Sequence, residues 1–139
     1  MDDQSLKNLK KKAGAHPGSL IYIGNEPKEK IILSLIKYDD DSCEGFKEDQ
    51  IEPLLEHIKP GYKYWLNIDG IYDDNIITNV GAHFELHPLT MEDIMNSEHL
   101  PKLEEFDNYL FFTTKMLYKH QQDIEMSPEH ISFVLGKDY

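Results

Sequence analysis

Residues 83–118 read HFELHPLTMEDIMNSEHLPKLEEFDNYLFFTTKMLY. The proline ring of Pro88 disfavours helical geometry at His87, so His87-Pro88 reads as a turn. Thr90-Met91-Glu92-Asp93 then opens a short helix. Thr90 at the N-cap with an acid three positions on is an acidic capping-box pattern, and Glu92 is favoured by the positive end of the helix dipole. Lys102–Phe106 and Asn108–Tyr118 read as two strands joined by a tight bend. The second is apolar enough for a sheet interior. Glu104, Glu105 and Asp107 read as a solvated edge, where charge discourages pairing with another chain.

Outward from this stretch, element types alternate. Residues 1–18, with Gly14, Pro17 and Gly18, form a flexible N-terminal tail. Its lysines read as solvated rather than as contacts for acidic lipids. Leu20–Ile23 is a short strand closed by Gly24-Asn25. Ile31–Tyr38 is nearly all apolar, the pattern of a central strand buried on both faces. Asp39-Asp40-Asp41-Ser42 lacks the spacing of a Ca²⁺ loop and reads as a solvated loop. Ile51, Leu54, Leu55 and Ile58 give an amphipathic helix over 48–58, with Pro53 in its first turn and Lys59-Pro60-Gly61 at its end. Tyr62–Ile68 is a strand, and Trp65 is expected to pack in the core. Asp73 or Asp74 caps a helix through Val80, with Ile76, Ile77 and Val80 as its buried stripe. His130–Leu135 is a strand, Gly136-Lys137-Asp138 a hairpin turn, and Tyr139 the opening of a further strand. Helices alternating with strands early, then successive strands, predict a three-layer α/β/α sandwich with a mixed parallel/antiparallel sheet over residues 19–139.

The chain has 139 residues, 40% of them hydrophobic and 29% charged, and a net charge of −12. These values suit one globular domain and exclude a nucleic-acid partner, whose phosphates would be repelled. The single Cys43 permits no internal disulfide, which fits a reducing compartment. No signal peptide appears, and no run approaches the ~20 apolar residues of a membrane helix, so the chain reads as soluble. His83 and His87, with Glu85 between them, are not read as a zinc pair, because Pro88 takes His87 off the helical face. No nucleophile motif or Gly-rich phosphate loop occurs, so no enzyme is expected. Cys43, in an acidic neighbourhood, would be a weak nucleophile.

Trp65-Leu66-Asn67-Ile68 with Gly70-Ile71, Val80-Gly81, Phe84, His87-Pro88-Leu89, Glu92-Asp93-Ile94, Pro101-Lys102, Glu105-Phe106, Tyr109 and Lys115-Met116 occur here in the order they take in one transporter family. Over residues 62–135 the chain resembles the cytoplasmic N-terminal domain of CorA-type divalent-cation transporters. It departs at His99-Leu100, and it lacks the family's stalk, membrane helices and Gly-Met-Asn pore signature. The resemblance implies a chain truncated before the stalk and transmembrane helices. In the full-length protein it would sit on the cytoplasmic face of the membrane as part of a homopentamer, meeting other subunits of the same transporter and touching the membrane only through the missing helices. It implies regulatory Mg²⁺ binding by Glu92 and Asp93 at subunit boundaries, weak in the isolated domain, that gates Mg²⁺ or Co²⁺ transport. The alternatives are the cytoplasmic domain of a zinc-transporting relative and a stand-alone protein-interaction module.

Overall fold

The computed structural model describes residue 10 and residues 13–24, 30–118 and 127–139. Its elements run β1 (Ile32–Tyr38), β2 (Cys43–Glu48), α1 (Ile51–Glu56), β3 (Lys63–Asp69), α2 (Asp74–Phe84), α3 (Pro88–Ile94), β4 (Lys102–Glu105), β5 (Tyr109–Tyr118) and β6 (Ser127–Gly136). They form two three-stranded sheets, ordered β2-β1-β3 and β4-β5-β6, and every strand pair is antiparallel. Among the described residues the isolated bridge Ile23–Asn96 is the parallel pairing.

The predicted three-layer α/β/α sandwich with a mixed sheet is therefore overturned. The first reason is local. Asp39 Oδ1 accepts hydrogen bonds from the Asp41 and Ser42 amides at 2.9 and 2.7 Å. The Asp39 amide in turn donates to the Ser42 carbonyl at 3.0 Å. Such self-bonding by an Asp side chain makes a tight turn, so the chain reverses and Cys43–Glu48 pairs back on β1 as β2. The second reason is coverage. The helices are short, and the outer sheet faces carry exposed apolar side chains. Trp65, expected in the core, is 56% exposed, and Ile32 is 52% exposed on the strand expected to be buried on both faces.

The inner face of the first sheet is covered as the period of its neighbours requires. Leu33 and Leu35 alternate inward along β1 and meet Ile51, Leu54 and Leu55 of α1, Ile76 of α2 and Tyr64 of β3. The Tyr64 hydroxyl is satisfied by the Lys59 backbone, accepting from its amide at 2.8 Å and donating to its carbonyl at 2.9 Å. A second core gathers Leu86, Tyr109 and Phe111, with Met91, Ile94, Phe106 and Val134 around them. Val80 and Phe84 of α2 pack against both cores, and the Tyr64 amide donates to the Asp138 carbonyl at 2.8 Å. Helix α2 and that backbone bond join the two sheets.

Helix boundaries follow their caps. Asp73 caps α2, accepting from the Asn75 amide at 2.9 Å. The helix runs past the expected end at Val80 and stops at Glu85, in the left-handed region at φ 55°, where the Leu86 amide closes on the Gly81 carbonyl at 2.8 Å. In α1, Pro53 lies in the first turn as expected. Of the strand expected over Leu20–Ile23, only Ile23 is in a bridge. Residues 1–9, 11 and 12 of the expected tail and Asn25 lie outside the described residues. The tail's last residue, Gly18, donates its amide to Glu92 at 2.6 Å.

Candidate functional site

The candidate site is built on α3, and its start differs from the capping box expected at Thr90. His87 is the N-cap, extended at φ −63° and ψ 140°, with Pro88 in the first turn. The His87 Nδ1 accepts from the Leu89 amide at 3.2 Å. Pro88 suits a first turn because it has no N–H to leave unpaired. Thr90 is thereby moved inside the helix, where it is fully buried. Its hydroxyl meets the Tyr109 hydroxyl at 2.8 Å, and the His87 amide donates to that same phenol oxygen at 3.0 Å. One phenol from β5 thus fixes the entry of α3. His83, meanwhile, lies in the last turn of α2, so His83 and His87 belong to different helices.

This displacement puts Asp93 in the last turn of α3 rather than the first. A carboxylate there faces the negative end of the helix dipole, and burial adds a desolvation cost. Both are offset by two side chains from the chain that follows, the Lys102 ammonium and the His99 imidazole. Lys102 Nζ lies 2.5 Å from Asp93 Oδ2, and His99 Nε2 lies 3.0 Å from Asp93 Oδ1. Lys102 also donates to Glu104 at 2.8 Å, since residues two apart on a strand share a face. Burial alone would lower the Lys102 pKa, but its hydrogen bonds to Asp93 and Glu104, with their charges, raise it above the ordinary lysine value. Lys102 therefore stays charged and ties α3 to β4.

Glu92, the neighbour of Asp93, is half-buried and accepts from the Gly18 amide. With His87, Leu89, Asp93, Lys102, Glu104 and Phe106 it lines an open groove of about 350 Å³. Phe106 stacks on Tyr109 with ring centroids 4.6 Å apart and on His87 at 5.8 Å, which gives the groove an aromatic wall beside its charges.

Below α3 lies a second polar set that the sequence did not single out. Lys115 of β5 donates to the Ser97 carbonyl and is the direct cross-strand partner of His130. The His130 Nε2 meets Ser132 Oγ at 3.1 Å, and among the described residues its buried Nδ1 has no hydrogen-bond partner of good geometry. Burial, then the charges of Lys115 and His99, push its pKa down to about 4, against a contact to the Ile94 backbone and the charge of Asp93. His130 is thus neutral at neutral pH.

The donor set does not fit a bound divalent ion. A hard cation takes six or more oxygens. Here both Asp93 oxygens face Lys102 and His99, and one Glu92 oxygen accepts from Gly18. Among the described residues no group of three His, Cys, Asp or Glu side chains is placed to hold a metal. The structure does bring Glu92 and Asp93 to one groove, but with Lys102 already in it. In the sequence Lys102 stands out only as a strand start and part of the family motif, although a lone lysine two residues before Glu104 in an acidic strand signals an internal ion pair.

No protein-family model matches the chain. Among curated proteins it is similar to the cobalt/magnesium transport protein CorA of Thermotoga maritima, with 33% identity over 132 residues. That alignment takes in 95% of this chain and 37% of the relative, so the chain spans little more than a third of the relative's length. Among the described residues no helix is long and apolar enough to cross a membrane. The chain is thus similar, over nearly its whole length, to one part of a cobalt/magnesium transport protein.

Proposed function

We propose that the chain is the extramembrane, cytosol-facing domain of a CorA-type Mg²⁺/Co²⁺ transporter, working beside other copies of itself in a ring that gates a pore. The observation that carries this reading is the 33% identity over 95% of the chain to a cobalt/magnesium transport protein. It is supported by the ordered run from Trp65 to Met116 that builds α2, α3 and β4–β5. The role is regulatory and not catalytic. Among the described residues the Ser132–His130 side-chain pair has no carboxylate on Nδ1 to orient the imidazole as a base. Sensing of cytosolic Mg²⁺ is placed at boundaries between copies, because the groove at Glu92 and Asp93 does not supply a ligand set by itself. The groove's part is mechanical: the Asp93–Lys102 pair sets how firmly α3, which carries Glu92, is held to β4.

A chimera tests this reading. The matching segment of the Thermotoga relative is replaced by this chain, and the product is expressed in a bacterium that cannot take up Mg²⁺. Restored growth at low Mg²⁺ is the expected result. A chimera that inserts in the membrane, yet restores neither Mg²⁺-dependent growth nor Co²⁺ uptake, would contradict it. Uptake of Zn²⁺ alone would favour the zinc-transporting relative.

A further inference from the structure

The resemblance places a divalent cation at Glu92 and Asp93, and the structure places a lysine there. Lys102 Nζ sits between Asp93 and Glu104 at 2.5 and 2.8 Å. His99 Nε2 takes the other Asp93 oxygen at 3.0 Å. The Asp93 side chain is only 13% exposed and that of Lys102 25%, whereas the surface pair Lys30–Asp49 is 74% and 85% exposed. A pair so covered is screened weakly by salt, and removing one partner leaves the other charge buried and unpaired. The lysine is also held from below, with Phe111, a core residue, 5.6 Å from its ammonium to the ring centroid.

We propose that the Lys102 ammonium is the resident counter-cation of Asp93, so that this chain closes the junction between α3 and β4 with its own charge and takes up no divalent cation at Asp93. The proposal rests on the reading of the chain as CorA-like only for why a cation is looked for there. The closure itself stands on the geometry of Asp93, His99, Lys102 and Glu104. An ion could reach Asp93 only by displacing an ammonium that is fixed to the same backbone and therefore always present at high local concentration. In this account Asp93 is a positioning residue for α3, and the reach of Glu92 toward any neighbouring copy depends on it.

The test has two arms. Free Mn²⁺ is followed by electron paramagnetic resonance while it is titrated with the intact chain, with Glu92→Gln and with Asp93→Asn. The expected result is no saturable uptake that Asp93→Asn removes. Melting temperatures are then measured for Asp93→Asn, Lys102→Met and the double variant without divalent ions. Each single change should lower the melting temperature by several degrees, and the double variant should melt no lower than the worse single one, as coupled partners do. A saturable Mn²⁺ site in the intact chain that is lost in Asp93→Asn would overturn the proposal. So would melting losses that simply add. If a single variant fails to fold, the Mn²⁺ arm still decides on the intact chain and Glu92→Gln. Neither arm involves transport, so an inactive chimera would sink the functional reading and leave this one standing.

Discussion

At the scale of single residues, the structure turns on groups whose partners are far away in sequence. Tyr109 is the clearest. Its phenol oxygen serves the His87 amide and the buried Thr90 hydroxyl together. Tyr109→Phe keeps the ring and leaves both groups without that partner, so a loss of about 1–3 kcal/mol is expected in chemical denaturation. His130 gives a pH dependence with a fixed sign. Its pKa in the folded chain, about 4, lies below the ordinary histidine value of 6.5. Between those values the unfolded chain binds a proton that the folded chain does not. The stability contributed by neutral His130 is thus fully present above the unfolded value and lost as pH falls toward the folded one. Allowing for solvent screening, the loss should be about 1–2 kcal/mol. His130→Gln should flatten the stability profile between pH 6.5 and 4, and an unchanged slope in urea titrations would contradict the assignment. These residues were illegible in the sequence for a common reason. Nothing local says that Thr90 is buried or that Lys102 reaches Asp93, because the bend at Asn96–Pro101 does that. The Glu92–Asp93 pair was legible as acidic and ordered, but local pattern could not tell a cap from the last turn of a helix begun earlier at Pro88.

At the scale of elements, the helices were legible and the edge strand was not. Ile51, Leu54 and Leu55 announced α1 by their spacing, and Asp73 announced the cap of α2, because both signals are local. Strand β2, Cys-Glu-Gly-Phe-Lys-Glu, has one half-buried residue and five exposed ones. A strand with Phe46 as its single side chain packed on the core leaves no apolar alternation to read. Missing it turned a hairpin into an expected crossover and produced the wrong sheet. The contact between α2 and α3 offers a test at this scale. A Cβ on Gly81 would lie 1.9 Å from Met91 Sδ, with Met91 Cγ and Cε at 3.1 and 3.2 Å. Alanine is favoured over glycine inside a helix by about 1 kcal/mol, but here the Met91 thioether must shift from its place against the second core. Gly81→Ala is expected to destabilise by about 1–2 kcal/mol net, as overpacked cores do, and Met91→Ala in the same chain should recover part of it. A stabilised Gly81→Ala would show that the helices are not in this close contact.

For the whole molecule, two half-covered sheets leave a broad apolar face. Leu103, Phe112 and Phe133 form one cross-strand row, and Leu110 and Leu135 the next. All five are counted among the exposed large hydrophobics. Contiguous apolar surface of this kind marks a place that another surface covers. With its charge of −12 opposing self-association, the chain should be monomeric or weakly associated at micromolar concentration and should bind a hydrophobic dye. Leu135→Lys with Phe112→Thr should reduce dye binding without lowering the melting temperature by more than about 1 °C, since exposed sites contribute little to stability. A large melting loss would mean that this face is already packed within the chain.

The central claim is that the junction between α3 and β4 is held closed by Asp93 and Lys102 and not by a bound metal. Amide hydrogen exchange over Met91–Met95 reads that junction directly. It should be compared in chelator and in Mg²⁺ raised to saturating levels, at constant ionic strength. The same protection is expected in both conditions, with a marked loss of protection in Lys102→Met. Protection that rises with Mg²⁺ in the intact chain, and that Asp93→Asn abolishes, would contradict it.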